Sequence, residues 1–269
     1  MATVITGSPR EQLRRGQPRR EYRFYALLAT AMAVLVVIAF SVQVSMGRST
    51  FASPLRVHLH AVAFMGWISL FLAQSWFAAR GDMTLHRRLG WLSLGWMALM
   101  LTAAAWVMIA MTRNAKIPFF FPPQQLLIGD PLALLGFVGL SCWAIARRRD
   151  TEWHARLHIC AMASLMAPAF GRLIPMPLLI PYALEISSLL VLVFPITGMI
   201  RDLRQRGRVH PAWLAGAAIL LTNIAMVDVI AYSPVGAAVY RTVTTGSPGA
   251  QIDPLAYPPP PATPLITGR

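Results

Sequence analysis

Seven apolar stretches, each close to the roughly 20 residues that an α-helix needs to cross a bilayer, constrain the fold of this chain more than any other feature. Inside lipid, a helix is the open-chain element that satisfies its own backbone hydrogen bonds. We therefore predict an all-α integral membrane bundle of seven transmembrane helices. The predicted spans lie near residues 22–46, 56–79, 89–112, 130–147, 157–174, 182–200 and 213–233.

The arginines orient this bundle, because basic residues near helix ends remain in the cytoplasm. One side of the predicted bundle carries most of them: Arg10, Arg14, Arg15, Arg19, Arg20, Arg23, Arg80, Arg87, Arg88, Arg147, Arg148, Arg149, Arg156, Arg201, Arg204, Arg206 and Arg208. The short loops of the other side carry only Arg48, Arg56, Arg113 and Lys116. This asymmetry predicts a cytoplasmic N-terminus and, after an odd number of spans, an external C-terminus.

Three regions follow from the spans. Residues 1–21 form a basic cytoplasmic leader, residues 22–233 form the membrane domain, and residues 234–269 form an external, proline-rich, flexible tail that contains YPPPPATP. The first apolar stretch is longer than the core of a cleaved signal peptide, so we expect it to remain as an anchor. The expected location is the bacterial cell inner membrane, as a multi-pass protein.

Composition agrees with a membrane bundle, since 56% of the residues are hydrophobic and only 13% are charged. The net charge of +14 lies in clusters beside the spans rather than on one face. We therefore expect a bilayer with anionic lipids as the electrostatic partner, and no nucleic acid. A homo-oligomer or a membrane-protein partner is compatible with this pattern.

Ionisable residues within the spans form an outer polar layer. A rise of ~1.5 Å per residue puts Arg172 roughly 22 Å across the membrane from the cytoplasmic start of span five. Asp228 and Glu185 are expected at a similar depth, and His58 and His60 begin span two in the same layer. One hypothesis is an ion pair between Arg172 and either carboxylate that clamps the helices. The other is a polar pocket open to the outside, with His60 as a proton carrier or metal ligand.

Three histidines form a second polar layer at the cytoplasmic side. His86 precedes span three, whereas His154 and His158 are four residues apart at the start of span five and share a helical face. Two imidazoles from different helices can bind a haem iron, and histidine is also the commonest metal ligand. We predict His86 with His158 as the ligand pair. His154 could replace His158, or all three could hold a metal ion; polar residues at a membrane boundary are the plain alternative.

Several segments carry a resemblance: HLHAVAFMGWISLFLAQSWFAARGDMTLHRRLGW, HARLHICAMASLMAPAFGRLIP and GRVHPAW. They resemble uncharacterised bacterial multi-pass membrane proteins in which a histidine opens the second span and an HRRLG-type turn starts the third. In this chain the matching positions are His60, Trp67, Gln74, His86 to Gly90 and Arg172. This resemblance implies no established activity.

A looser resemblance is to the transmembrane cytochromes b, whose histidines on four consecutive helices hold two haems. It implies one haem between His86 and His158. His60 has no histidine partner on the fourth span, DPLALLGFVGLSCWAIAR, so a second haem is not implied.

The function expected from these residues is binding of a small molecule, or of a single haem b or metal ion, through histidines, with a link to redox chemistry. A small-solute or proton-coupled transporter built on the outer layer, and a structural subunit of a membrane complex, are the alternatives. A retinal photocycle is excluded, because the chain has no lysine within a span. No nucleophile elbow, Walker loop or C-x-x-C motif is present, and an enzymatic activity stays open.

Overall fold

The computed structural model describes residues 9–261 of the chain, with side chains from residue 20 onward. The described residues are folded into helices without any β-strand, so the prediction of an all-α protein is confirmed. The ten α-helices are α1 (Pro9–Ser45), α2 (Leu55–Arg80), α3 (Met83–Arg113), α4 (Pro123–Ala146), α5 (Thr151–Ser164), α6 (Ala167–Leu173), α7 (Ala183–Leu189), α8 (Val193–Arg206), α9 (Pro211–Ala231) and α10 (Pro234–Thr244).

Six helical segments of the described chain are long and apolar enough to cross a membrane. They are Arg20–Ser45, Leu55–Arg80, Met83–Arg113, Pro123–Ala146, Ala183–Arg206 and Pro211–Ala231. These segments overlap six of the seven predicted spans, and their ends differ from the predicted ends by several residues where polar turns continue a helix. The chain is thus an all-α protein with the helices of a multi-pass membrane protein.

The fifth predicted span is a broken helix rather than a continuous one. Helix α5 ends at Ser164, and α6 begins at Ala167 with a proline in its first turn. Proline lacks an N–H and its ring clashes with the carbonyl four residues earlier, which for Pro168 is the carbonyl of Ser164. Neither part alone has the length of a span. Most of α5 is buried, because it packs against α4, α8 and α9 in the centre of the bundle.

Close helix packing around α5 depends on two glycines. A Cβ atom at Gly216 of α9 would overlap the side chain of Cys160 of α5, and one at Gly198 of α8 would overlap the indole of Trp213. Small residues let helix backbones approach in this way, which favours helix association in membranes. Both neighbours are fully buried, so the core has no room for a larger residue at either position.

The segment after residue 233 differs from the flexible tail that the sequence predicts. Ser233 caps α10 by accepting hydrogen bonds from the N–H groups of Val235 and Gly236, and the buried Tyr240 hydroxyl donates to the Gly249 carbonyl at 2.9 Å. Further along, the Gln124 N–H donates to the Pro254 carbonyl at 2.8 Å. The Ser-Pro helix start was the sequence signal for this folded segment. Residues 262–269, and residues 1–8 of the leader, lie outside the described residues.

Candidate histidine site

The structure brings the three histidines of the cytoplasmic layer together. The rings of His86 and His154 have centroids 6.1 Å apart, and those of His154 and His158 have centroids 4.6 Å apart. All three residues are half-buried. His154 therefore lies between the other two, and its ring, rather than that of His158, is the one in contact with His86.

Two similar helix starts position this cluster. Asp82 caps α3 by accepting from the Leu85 N–H, and Asp150 caps α5 by accepting from the Trp153 N–H. In each helix the histidine follows the capping aspartate by four residues, as DMTLH and DTEWH. The repeated spacing places both histidines in the first turn at the same end of the bundle. This repeated spacing was a sequence signal for the pair of His86 and His154, which the spacing of His154 and His158 alone does not indicate.

Backbone carbonyls fix the tautomers of two of these rings. His86 Nδ1 lies 3.2 Å from the carbonyl oxygen of Gln74, and His154 Nδ1 lies 2.9 Å from that of Ala144. Because a carbonyl oxygen can only accept, Nδ1 of each ring carries the hydrogen and donates it. In both neutral rings Nε2 is then the nitrogen with a free lone pair. Histidines that bind metals are held in this manner, with the other ring nitrogen donating to a carbonyl or carboxylate.

Three further polar atoms near the cluster are buried without a hydrogen-bond partner among the described residues. They are Gln74 Oε1, Ser141 Oγ and Trp67 Nε1. The backbone of Gln74 holds His86, and Ser141 lies one helical turn before Ala144, which holds His154. Trp67 lies two turns further from the cluster on α2, edge-on to Phe137 at 4.9 Å. Buried polar atoms are satisfied by protein, by water or by a bound molecule.

A metal ion held by all three histidines has no support in this geometry. Within residues 9–261, no three histidine, cysteine, aspartate or glutamate side chains are arranged to hold a metal ion together. Structural zinc sites use four protein ligands and catalytic ones use three.

Arg172 does not form the ion pair that its depth predicted. Within the described structure it makes no ion pair with Glu185 or Asp228. Its guanidinium instead lies 4.2 Å from the ring centroid of Phe40 and donates to the Pro168 carbonyl at 2.8 Å. The carboxylate whose charge acts on Arg172 is Asp130 of α4. Helix depth alone did not predict the partner of Arg172, because depth does not give the direction in which a side chain leaves its helix.

Glu185 and Asp228 are instead joined by a glutamine that the sequence analysis overlooked. Gln125 Nε2 donates to Glu185 Oε1 at 2.6 Å and to Asp228 Oδ1 at 2.8 Å. Gln125 is 1% exposed and lies in the first turn of α4, within a segment interpreted as an outer loop. The outer layer thus has two parts: this amide bridge, and the neighbourhood of Arg172 and Asp130.

The two outer histidines are separate from this amide bridge. His60 stacks on Phe64 with ring centroids 4.3 Å apart, and its Nδ1 is buried without a protein partner among the described residues. The charge of Arg172 acts on this ring, so His60 belongs to the Arg172 part of the layer. His58 is half-buried and lies two residues closer to the start of α2.

A buried ion-pair network, which the sequence did not predict, lies at the same end of the bundle as the histidine cluster. The guanidinium of Arg156, 0% exposed, donates from Nε and Nη2 to the two carboxylate oxygens of Asp202, each at 3.0 Å. Nη2 also donates to Glu21 at 3.0 Å, and the Trp213 indole donates to Asp202 at 3.1 Å. Arg206 donates to Glu21 at 2.7 Å and 2.8 Å and to Glu152 at 2.6 Å. The network joins α1, α5, α8 and α9.

His210 lies at the edge of this network in the loop before α9. Its Nε2 is 3.4 Å from a Glu152 oxygen. Burial lowers the pKa of His210 below its ordinary value, and the charge of Arg156 lowers this pKa further, while Glu152 opposes them. His210 is therefore neutral at physiological pH.

No known protein family, curated protein or solved structure matches this chain.

Proposed function

We propose that this chain is a bacterial inner-membrane protein that crosses the membrane seven times and binds one haem b through the histidine cluster. The crossings are the six continuous segments together with the α5–α6 pair, which covers 151–173 and has a length of about 35 Å at ~1.5 Å per residue. Lipid does not tolerate a break that is exposed to it, but this break is surrounded by protein. The arginine asymmetry supports a cytoplasmic N-terminus and an external C-terminus.

The observation that carries the haem proposal is the pair of imidazoles, His86 and His154, whose Nδ1 atoms are both held by backbone carbonyls. Haem brings four nitrogens of its own and takes one or two ligands from the protein, so two histidines suffice. The sequence favoured His158 as the partner of His86. The ring contact between His86 and His154 supports His154 instead, with His158 packed behind it.

The side chains have distinct roles in this proposal. Nε2 of His86 and Nε2 of His154 ligate the iron, and the Gln74 and Ala144 carbonyls orient the two rings and increase their basicity. The haem supplies one-electron transfer. Ser141 and Gln74 provide polar atoms beside it for ordered water or for a polar group of a reaction partner.

An absorption spectrum of the purified full-length protein tests this proposal. We expect a Soret band corresponding to one haem per chain, which His86→Ala and His154→Ala each reduce to a small fraction. His158→Ala should shift the band or weaken it in part. The matched control is His58→Ala, which removes a half-buried histidine from the other layer and should leave the band unchanged.

Absence of a Soret band, together with absence of a bound transition metal by elemental analysis, would contradict the proposal. A full band in both His86→Ala and His154→Ala would show that other residues ligate the haem.

A second candidate function, a proton-coupled carrier, is favoured by the interrupted helices. The chain breaks between α5 and α6, and a 3₁₀ segment at Leu190–Leu192 separates α7 from α8. Transporters bind substrate at discontinuous helices of this kind. Arg172 on α6 would form the substrate and proton site with Asp130 and His60, since the Arg172 guanidinium lies over Phe40 at 4.2 Å and His60 Nδ1 is buried without a partner among the described residues.

Proton uptake by proteoliposomes would separate this candidate from the haem protein. A carrier should show proton uptake driven by a gradient, and Asp130→Asn should abolish this uptake. The control is Asp253→Asn in the exposed C-terminal segment, which should leave the uptake unchanged. Equal uptake by protein-free liposomes would exclude the carrier.

A further inference from the structure

A groove of about 330 Å³ lies between α1 and α8 at the end of the bundle where the arginines collect. It is lined by Phe24, Thr197, Ile200, Arg201, Arg204 and Gln205. Both helices belong to segments with the length and composition of membrane spans. The groove therefore opens towards the surrounding bilayer, at the depth where a helix leaves the apolar interior and meets headgroups.

The polar end of the groove carries positive charge that the protein does not neutralise. Arg201 lies over the ring of Phe24 at 4.4 Å and reaches Asp202 only at 4.0 Å. Both oxygens of Asp202 already accept hydrogen bonds from Arg156. Arg204 is exposed and makes no hydrogen bond or ion pair with any residue whose side chain the structure describes. Two guanidinium groups thus remain to bind an anion.

Beyond Phe24 and Ile200, which line the groove, the surface of both helices continues as exposed apolar residues. On α8, Val193, Ile196 and Ile200 lie along the face that also carries Arg204, and each is nearly half exposed. On α1, Leu27 follows Phe24 by one turn and is also half exposed. A ligand that fits both parts has an anionic end and a long apolar chain.

We propose that this groove is a specific binding site for one anionic phospholipid. The headgroup phosphate accepts hydrogen bonds from Arg201 and Arg204, and one acyl chain lies along Ile200, Ile196 and Val193. Basic pockets between helices on the cytoplasmic side suit such headgroups, and guanidinium binds phosphate oxygens in a bidentate manner. A free phosphate ion would use the arginines but not the apolar wall.

The proposal depends on the helices lying in a membrane, but not on the histidine cluster. A failure of the haem proposal leaves it unaffected, because the lipid test measures binding to α1 and α8, whereas the haem test measures binding to histidines of α3 and α5. It also goes beyond a general attraction to anionic lipids, because it assigns one lipid to two named arginines.

Lipid titration of the delipidated full-length protein in detergent tests the site, with bound lipid counted by native mass spectrometry. The probes are phosphatidylglycerol, phosphatidylcholine and inorganic phosphate. We expect one phosphatidylglycerol per chain to bind tightly, phosphatidylcholine to bind much more weakly, and phosphate at millimolar concentration not to displace the lipid.

At about 1 kcal/mol per arginine near the surface, Arg201→Gln or Arg204→Gln should weaken phosphatidylglycerol binding about 5-fold, and the double variant about 30-fold. Ile200→Ser should weaken binding of the lipid through its acyl chain while leaving both charges in place. The matched control is the double variant Arg87→Gln with Arg88→Gln, which removes two exposed arginines of the same side on α3 and should have no effect.

Equal losses in the groove variants and in the α3 control would show general surface attraction and overturn the specific site. Equal affinity for phosphatidylcholine and phosphatidylglycerol would overturn the role of the charges, and displacement of the lipid by phosphate would overturn the role of the acyl chain.

Discussion

The ion-pair network around Arg156 and the histidine cluster lie at the same end of the bundle, but they differ in how completely their polar atoms are satisfied. Arg156 and Asp202 are fully buried, and each has several partners within the protein. Beside the histidines, Gln74 Oε1 and Ser141 Oγ are buried without a partner among the described residues, and backbone carbonyls hold only Nδ1 of His86 and of His154. The first arrangement stabilises the fold, whereas the second is the region that we propose to bind a ligand.

The largest expected effect follows from breaking the network. Arg156→Met keeps much of the side-chain volume but leaves Asp202 buried without its main partner, so we expect a loss of about 3–5 kcal/mol in the free energy of unfolding. Unfolding in detergent by denaturant or heat would measure it. The control is Arg206→Met, an exposed ion pair for which the expected loss is about 1 kcal/mol or less. Equal losses of unfolding free energy in the two variants would contradict the claim that the buried ion pair stabilises the fold more than the exposed one.

The outer amide bridge should have an intermediate effect. Gln125→Leu removes the donor shared by two carboxylates, and hydrogen bonds to charged groups contribute about 1.5–3 kcal/mol. Gln43→Leu is the comparison, since Gln43 Nε2 donates at 2.8 Å to the neutral Arg172 carbonyl and about 0.5–1.5 kcal/mol is expected. A smaller loss for Gln125 than for Gln43 would mean that the two carboxylates are protonated or apart.

Two buried serines compare satisfied and unsatisfied atoms directly. The Ser164 hydroxyl donates to the Ala161 carbonyl at 2.7 Å, so Ser164→Ala should lose about 0.5–1.5 kcal/mol. Ser141→Ala removes a hydroxyl that has no partner among the described residues, and its effect on unfolding should be close to zero. If Ser141→Ala costs as much as Ser164→Ala, the contrast between the two regions is wrong.

The smallest effect concerns His210 and pH. Because burial lowers the pKa of His210 in the folded protein, the unfolded chain takes up this proton first as the pH falls through 6.5. The network should therefore lose stability between neutral pH and about pH 5, and His210→Gln should reduce that loss. An identical pH dependence in the variant would show that His210 does not contribute.

The sequence predicted the helices better than it predicted their contacts. Hydropathy located six continuous segments. A proline inside a helix clashes with the carbonyl four residues earlier, and this rule could have predicted the helix break before Pro168. The Ser233–Pro234 start could likewise have indicated α10. These signals are local, so a single chain contains them.

The partners of buried charges could not be predicted from such local signals. Arg172, Asp228 and Glu185 were expected at one depth, yet Gln125 joins the two carboxylates while Arg172 lies over Phe40, because the rotation of each helix decides which side chains meet. Glu21 and Asp202 are two of the ten acidic residues, and both lie beside arginines in the sequence. Those arginines were interpreted as signals of membrane orientation, so ion pairs with Glu21 and Asp202 were not predicted. The three histidines could be expected to lie together, because the start of a helix fixes the end of the bundle at which its first residues lie.

Titration of the cofactor-free protein with haem tests most directly the claim that the unsatisfied region is a binding site. Wild type should bind one haem per chain with a saturating Soret change, His86→Ala with His154→Ala should bind none, and Arg206→Met should bind as wild type does. Saturable binding that is unchanged in the double histidine variant, or no binding to a folded wild type, would contradict the account.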